Sequence, residues 1–398
     1  MHMNAEWPAV KGPVASQPNS GPNLDEVKAF MDRHYHEPLT TGQLAEMAGL
    51  SPKYFAHLFK KTYGQSAVEY LTDLRINRAK RYLAESGARL REIALQVGYS
   101  DEFYFSHKFK KEVGVSPSDY KKQARSRVAA CSPPITGHLL ALDVVPAAAP
   151  LDPKWTAYYY NDYRTAIKFH LKLTEPYSHL KFDANIGMLS RIRPDAIIGT
   201  DRLSADERAK LTEIAPSLFI PESEDGWRDQ LRKIAHFLNR EEAAERWIQR
   251  YERQAEFVRE RIGKVLGGER ILVLRIYGSR LHVYWNRGLE DVLRRDLRLE
   301  AADRGGSSVR NTPITLEQLR ELNPDRMLLA VCPDTASRTY WLALQHSSAW
   351  WQLKAVRKRR VYPIPSDPWF EYSAVAVSRI LDEALLLFTG KSTKALPH

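Results

Sequence analysis

"GYSDEFYFSHKFKKEVGVSPSDY", residues 98–120, repeats "GLSPKYFAHLFKKTYGQSAVEY", residues 49–70. The two copies share Gly49/Gly98, Ser51/Ser100, Phe55/Phe105, Phe59/Phe109, Lys60/Lys110, Lys61/Lys111, Gly64/Gly114 and Ser66/Ser116, and the second is one residue longer just after the turn. Short apolar helix patterns precede them, with Leu44, Ala45 and Ala48 before the first and Ile93, Ala94 and Val97 before the second. Each copy therefore reads as helix, Gly-containing turn, helix. Ser51 followed by Pro52 supplies an N-cap and a favoured first helical residue. In the helix that follows, Phe55, Leu58 and Phe59 share one face, leaving Lys53, Ala56, His57 and Lys60 on the other. In the second copy Phe105 and Phe109 point inward, and Glu102, Ser106, His107 and Lys110 point outward. Between the copies "SAVEYLTDLRINRAKRYLAES" reads as one helix of about twenty residues, roughly 30 Å at 1.5 Å per residue. That length is close to the roughly 34 Å between successive major grooves on one side of B-DNA. A single helix-turn-helix pattern could be an ordinary hairpin, but two at this spacing point to double-stranded DNA as partner.

Residues 24–125 resemble the AraC/XylS-type transcriptional regulators, most specifically in "GYSDEFYFSHKFKKEVGVSPSDYKK". The resemblance implies an all-α DNA-binding domain of two helix-turn-helix units, with RNA polymerase as a further candidate partner. His57 and His107 depart from it, standing where the family commonly has Arg.

Composition agrees with such a reading. The chain has 398 residues, enough for two or more domains, and a net charge of +11. Between Lys53 and Arg125 there are fifteen Lys and Arg against eight Asp and Glu, so this region carries much of the excess. Two distant cysteines, Cys131 and Cys332, provide neither a disulfide framework nor zinc-ligand spacing. Residues 1–23 are polar and rich in Pro, Gly and Asn, and read as a flexible leader without the apolar core of a secretory signal. No run approaches a membrane span, so a cytoplasmic protein without membrane partners is expected.

After Arg125, "SRVAACSPPITGHLLALDVVPAAAP" breaks the helical pattern, and residues 126–134 read as a linker. Beyond it a fainter echo occurs: "LSRIRPDAII" from Leu189 and "LRELNPDRMLL" from Leu319 both run helix, Pro-Asp, buried strand. A long helix pattern over about 241–266, stopped by Gly267 and Gly268, separates the two. The expectation is a two-lobed α/β domain, residues 135–392, with lobes at about 135–240 and 268–392. This region resembles the substrate-binding proteins of iron-siderophore and vitamin B12 importers, in "LKFDANIGMLSRIRPDAII", "LTEIAPSLFI", "ITLEQLRELNPDRMLLAV" and "WWQLKAVRKRRVYPIPSDPWFEYSAVAVSRILDEAL". The resemblance implies a sensor behind a DNA-binding domain.

Ligands of open α/β lobes meet the carboxyl ends of strands. The candidates there are Arg202, Arg275, Arg280, Arg338 and Tyr340, joined by Tyr158, Tyr159, Trp369 and Tyr372 from aromatic loops. Arginines among aromatics suit a flat, anionic ligand, and a ferric catecholate siderophore has that character. Taken singly, each Arg reads more readily as a solvated surface residue, and only their grouping at strand ends favours a site. Heme or a cobalamin would ask for an axial ligand, for which His282 or His346 could serve. No tightly bound cofactor or protein-held metal is expected, the iron being held by the siderophore. Enzyme motifs fail: "FTGKS" lacks the first P-loop glycine, Leu385 standing in its place, and "HYHE" at 34–37 reads as a surface turn. The expected function is a siderophore-responsive regulator activating iron-uptake genes. The rival is a cytoplasmic scavenging protein for a siderophore, heme or cobalamin-like ligand.

Overall fold

The computed structural model describes residues 24–85, 88–123, 127–154, 156–174, 180–223, 225–303 and 310–390. The expected leader, residues 1–23, lies outside them, as do 124–126. Seven helices come first: α1 (Leu24–His34), α2 (Thr41–Met47), α3 (Pro52–Tyr63), α4 (Ala67–Glu85), α5 (Leu90–Gln96), α6 (Glu102–Val113) and α7 (Pro117–Gln123). The pairs α2/α3 and α5/α6 are the two expected helix-turn-helix units. Ser51 caps α3, its Oγ accepting from the Tyr54 N–H. In the second unit the extra residue moves the cap from Ser100 to Asp101. Both recognition helices end on a left-handed glycine, Gly64 at φ 80° and Gly114 at φ 87°, a conformation that only glycine adopts without strain. Each unit has its own core, built on Phe55 and Phe59 in one and on Phe105 and Phe109 in the other.

The first lobe comprises β1 (Val128–Ala130), α8 (Pro133–Ala141), β2 (Ala148–Pro150), α9 (Ala157–Tyr163), β3 (Phe169–Leu171), α10 (Phe182–Ile192), β4 (Ala196–Thr200), α11 (Ala205–Ile214), β5 (Ser217–Ile220) and α12 (Trp227–Phe237). Its sheet is parallel in the order β3-β2-β1-β4-β5. The segment expected as a linker, 126–134, is thus corrected: it holds β1, the central strand, and the start of α8. Val128 and Ala130 face one core while Ala129 faces another, so β1 is covered on both sides.

Helix α13 (Glu241–Leu266) then crosses to the second lobe, ending at Gly267 as the sequence indicates. The second lobe contains β6 (Ile271–Tyr277), β7 (Arg280–Trp285), α14 (Arg287–Leu289) running into a π-helical turn over Glu290–Asp296, β8 (Arg310–Pro313), α15 (Leu316–Leu322), β9 (Arg326–Val331), α16 (Thr335–Gln345), α17 (Ser348–Gln352), α18 (Lys354–Arg357) and β10 (Val361–Pro363). Its sheet runs β10-β9-β6-β7-β8, parallel except for the antiparallel pairs that β7 makes. The last helix, α19 (Ala374–Thr389), packs against α8, α12 and α13 and against the π-helical turn of the second lobe. One continuous apolar core therefore runs from the first lobe through α13 and α19 into the second.

The echoed sequence unit is α10–β4 in one lobe and α15–β9 in the other. Each helix ends on a left-handed residue just before Pro-Asp, Arg193 in the first and Asn323 in the second. Proline excludes the helical conformation from the residue before it, which is why both helices stop there. Among the described residues no helix is long and apolar enough to cross a membrane.

Candidate functional site

The first candidate surface is the outer face of α3 and α6. Lys53, His57 and Lys60 are exposed and Ala56 is half-buried; His107 and Lys110 are exposed, with Glu102 and Ser106 half-buried. Sequence reasoning missed Phe103 and Tyr104, which are 84% and 60% exposed near the start of α6, and Tyr54, 53% exposed at the same place in α3. Phe103 and Tyr104 are adjacent, so α6 presents a small apolar patch on its outer side in addition to the aromatic face it buries. The signal was available in "DEFYF", where two aromatics directly precede the inward Phe105.

Arg75 holds the two units together. Projecting from α4, it donates to the backbone carbonyls of Tyr35 and Glu37 at 2.7 Å each, and its guanidinium lies 5.3 Å from the centre of the Tyr99 ring. Gly98, in the second turn, packs so closely on this connection that a Cβ would stand 2.9 Å from the His36 carbonyl. The "HYHE" stretch is indeed an exposed turn, with His34 Nδ1 2.9 Å from Glu37 Oε1.

The second candidate is a cavity of about 160 Å³ at the carboxyl ends of β1 and β4, lined by the first lobe and by Phe370, Glu371 and Tyr372 of the segment before α19. Ligand pockets commonly run from about 300 to 1,000 Å³, so this floor would take one arm of a drug-sized ligand, not its whole. Arg202, which follows β4, and Tyr372, from the loop "DPWFEY", line it. Arg202 is already paired, its Nε 2.6 Å from Glu222 Oε2. Phe370 also lines the cavity and brings Arg275 beside it. The Arg275 guanidinium lies 5.1 to 5.3 Å from the ring centres of Tyr277, Tyr284 and Phe370. Among the described residues no carboxylate pairs with it.

The remaining candidates do not converge there. Tyr159 and Trp369 are buried in the core, a correction to their expected place against ligand. The Tyr159 hydroxyl donates to Glu371, and the Trp369 indole N–H donates to Glu383; burying these groups requires such partners. Tyr158 is half-buried beneath Arg379, whose guanidinium is 4.0 Å from its ring centre. Arg280 is exposed at the β6–β7 hairpin, opposite Tyr277. Arg338 is exposed on α16, and Tyr340 packs on the core from the same helix.

Sequence reasoning also missed Glu371 and Arg287. Glu371 lines the cavity yet is buried, and burial pushes its carboxyl up to about 7, against the pull of hydrogen bonds from Tyr159 and Ser373. Arg287, in the second lobe, donates to the backbone carbonyls of Glu222 and Asp225 in the first. Tyr372 strengthens this bridge, its hydroxyl accepting from the Trp227 N–H at 2.9 Å and donating to Asp291. Neither Glu371 nor Arg287 has a sequence signature: the partners of Arg287 are backbone carbonyls of the other lobe, and Glu371 is held by Tyr159, more than two hundred residues away in the chain. Among the described residues no group of three or more His, Cys, Asp or Glu could hold a metal ion. His282 is largely buried in β7 and, among the described residues, its Nδ1 has no hydrogen-bond partner, while His346 caps the end of α16.

Comparison with known proteins agrees with this division. Residues 44–123 match a helix-turn-helix domain family, and residues 128–368 match a periplasmic binding protein family. The HTH-type transcriptional activator Btr of Bacillus subtilis (strain 168) is 36% identical over 377 residues, covering 95% of this chain and 70% of Btr. The triscatecholate siderophore binding protein FeuA of B. subtilis, solved with ferri-bacillibactin, superposes with a TM-score of 0.52 at 21% identity, covering 66% of this chain and 92% of FeuA. FhuD2 of Staphylococcus aureus, solved with ferrioxamine B, gives a TM-score of 0.51 at 14% identity over 65% of this chain and 99% of its own. These last two establish the fold of the lobes. These three relatives are named as a transcriptional activator and as siderophore-binding proteins. From the two matched regions and the near full-length likeness to an activator, the chain belongs to the AraC/XylS-type regulators whose helix-turn-helix domain is fused to a siderophore-binding-protein-like domain.

Proposed function

We propose that the protein is a cytoplasmic transcriptional activator that binds double-stranded DNA through α3 and α6 and senses a ferric siderophore, of catecholate type, in the interlobe cleft. The observation that carries the ligand class is Arg275, a cation without a carboxylate partner among the described residues, enclosed by three aromatic rings beside the cavity. Such a group favours an anion that also presents aromatic faces, through charge-assisted hydrogen bonds and stacking. A tris-catecholate iron complex offers both, whereas a trihydroxamate offers neither. That the relative Btr is named an activator, and that FeuA was solved with ferri-bacillibactin, supports the same reading. Activation would bring RNA polymerase to iron-uptake genes. The scavenging alternative leaves the exposed, basic outer faces of α3 and α6 without a use.

The test combines selection of bound duplexes from random DNA with titration of ferric tris-catecholate, ferric trihydroxamate, heme and cobalamin. The reading expects an asymmetric duplex with two contacts about ten base pairs apart, and the tightest binding for the tris-catecholate complex. Preference for heme or cobalamin would refute the ligand class. Enrichment of no duplex would refute the regulator.

A further inference from the structure

Helix α13 does more than join the lobes. Glu242, Arg246, Arg250, Arg253 and Phe257 recur at intervals of four, four, three and four residues, so they lie on one face of it. That face is turned to the DNA-binding region. The Arg246 guanidinium donates to the carbonyl of Val113, the last residue of α6, and a Cβ on the capping Gly114 would collide with it. At the other end, the Phe257 ring lies 3.7 Å from where a Cβ on Gly64, the cap of α3, would stand. Between these ends the charges of Asp143 of the first lobe and Asp73 of α4 act on Arg250, and the charge of Arg253 reaches Glu69. Asp143 adds two contacts, taking a 2.6 Å ion pair from Lys80 of α4 and offering its carbonyl to the Tyr120 hydroxyl. From 242 to 257 the helix advances about 22 Å at 1.5 Å per residue, so a single straight element reaches the ends of both recognition helices.

We infer that α13 is a splint that sets the mutual orientation of the two recognition helices, and that the state of the cleft reaches DNA through it. The inference rests on the DNA-binding reading above. The contacts are made at the C-terminal ends of α3 and α6, away from Lys53, His57, Phe103 and His107, so the splinted heads keep their reading faces free. Because α13 spans the lobes and is packed against α12 and α19, any change in lobe angle is imposed on both heads together. Coupling of this kind needs one element whose position both sites bias.

The full chain and its Arg246→Ala/Phe257→Ala variant are compared on the selected duplex and on the same duplex with one base pair inserted between half-sites. The parent should lose at least about tenfold in affinity on the insertion. The variant should lose less than about threefold, with faster hydrogen exchange at residues 62–66 and 112–116, and Arg250→Lys should stay near the parent. Ferric tris-catecholate should shift the parent's duplex affinity by about fivefold or more, and the variant's by less than twofold although the variant still binds the complex. Loosened caps with undiminished spacing discrimination would show that α4 alone sets the spacing, and would overturn the splint. So would unchanged exchange at the caps, or a full ligand shift retained by the variant. A parent that retains no duplex at all fails earlier, at the DNA-binding reading itself.

Discussion

The Nε of Arg275 donates to the Sγ of Cys332 at 3.2 Å, from β6 to the residue that follows β9. A thiol is a weak acceptor, so this bond orients the guanidinium without neutralising it. The face of Arg275 is given to aromatic rings, and its charge remains available to a ligand oxygen. Arg275→Ala should weaken binding of an anionic ferric complex by about 1 to 3 kcal/mol, the worth of a charge-assisted hydrogen bond. Arg202→Ala should cost less, because Glu222 already holds that side chain. Isothermal titration of both variants against ferric tris-catecholate checks the order; equal losses would contradict it.

Glu371 gives the protein a pH signature. Its folded-state pKa, about 7, lies above the ordinary carboxyl value, so the native state holds this proton more tightly than the unfolded chain does. Stability from this group is present at low pH and is lost as pH rises from about 4.5 through 7. Glu371→Gln should therefore gain stability over the parent at pH 8, on the order of 2 to 3 kcal/mol before any loss from the exchanged hydrogen bonds, and little at pH 4.5. Urea denaturation of both proteins at the two pH values measures it. His138 shifts the other way, held at about 4 by burial, and is common to both proteins, so it cancels in the difference.

On DNA, the lysines and the exposed aromatics should behave differently. Lys60→Ala or Lys110→Ala should weaken binding to most sequences and reduce the salt dependence by about one charge. Phe103→Ser should instead change which base is preferred at one position, since an apolar ring meets a thymine methyl rather than a phosphate. Fluorescence anisotropy at several salt concentrations separates the two, and a uniform loss for Phe103→Ser would exclude base reading.

Trp369 and Tyr159 should prove structural. Both are wholly buried and anchored by hydrogen bonds to Glu383 and Glu371. Trp369→Ala should cost about 3 to 5 kcal/mol of stability through the cavity it leaves. Thermal unfolding tests this; a stable variant that loses only ligand would restore Trp369 to the cleft.

The helices were legible in the sequence because their ends are written locally. Ser51 before Pro52, Gly267 after Leu266 and the Pro-Asp pairs at 194 and 324 each act within one turn, and the structure places the boundaries there. Strand β1 was not legible. "VAA" is three small residues covered on both faces, with no alternation to read and prolines close behind. "DPWFEY" reads as an aromatic loop, but which of its rings reaches the cavity depends on packing against α19 and the lobes. Trp369 turns inward and Phe370 outward, and no local rule separates them. Arg202 lies just past the end of β4, where the sequence places it, whereas Arg275 lies within β6 rather than after it; their unequal freedom was not legible, because Glu222 and Phe370 are distant in the chain.

The position of α13 also orders events during synthesis. Helices α1 to α7 are complete by Gln123, while the face that steadies them is complete only after Leu266. At roughly 5 to 20 residues per second, the ribosome needs roughly 7 to 30 s to cover that interval. For that time the nascent chain carries two formed recognition heads with nothing yet holding their ends, free to sample polyanions before the element that disciplines them exists.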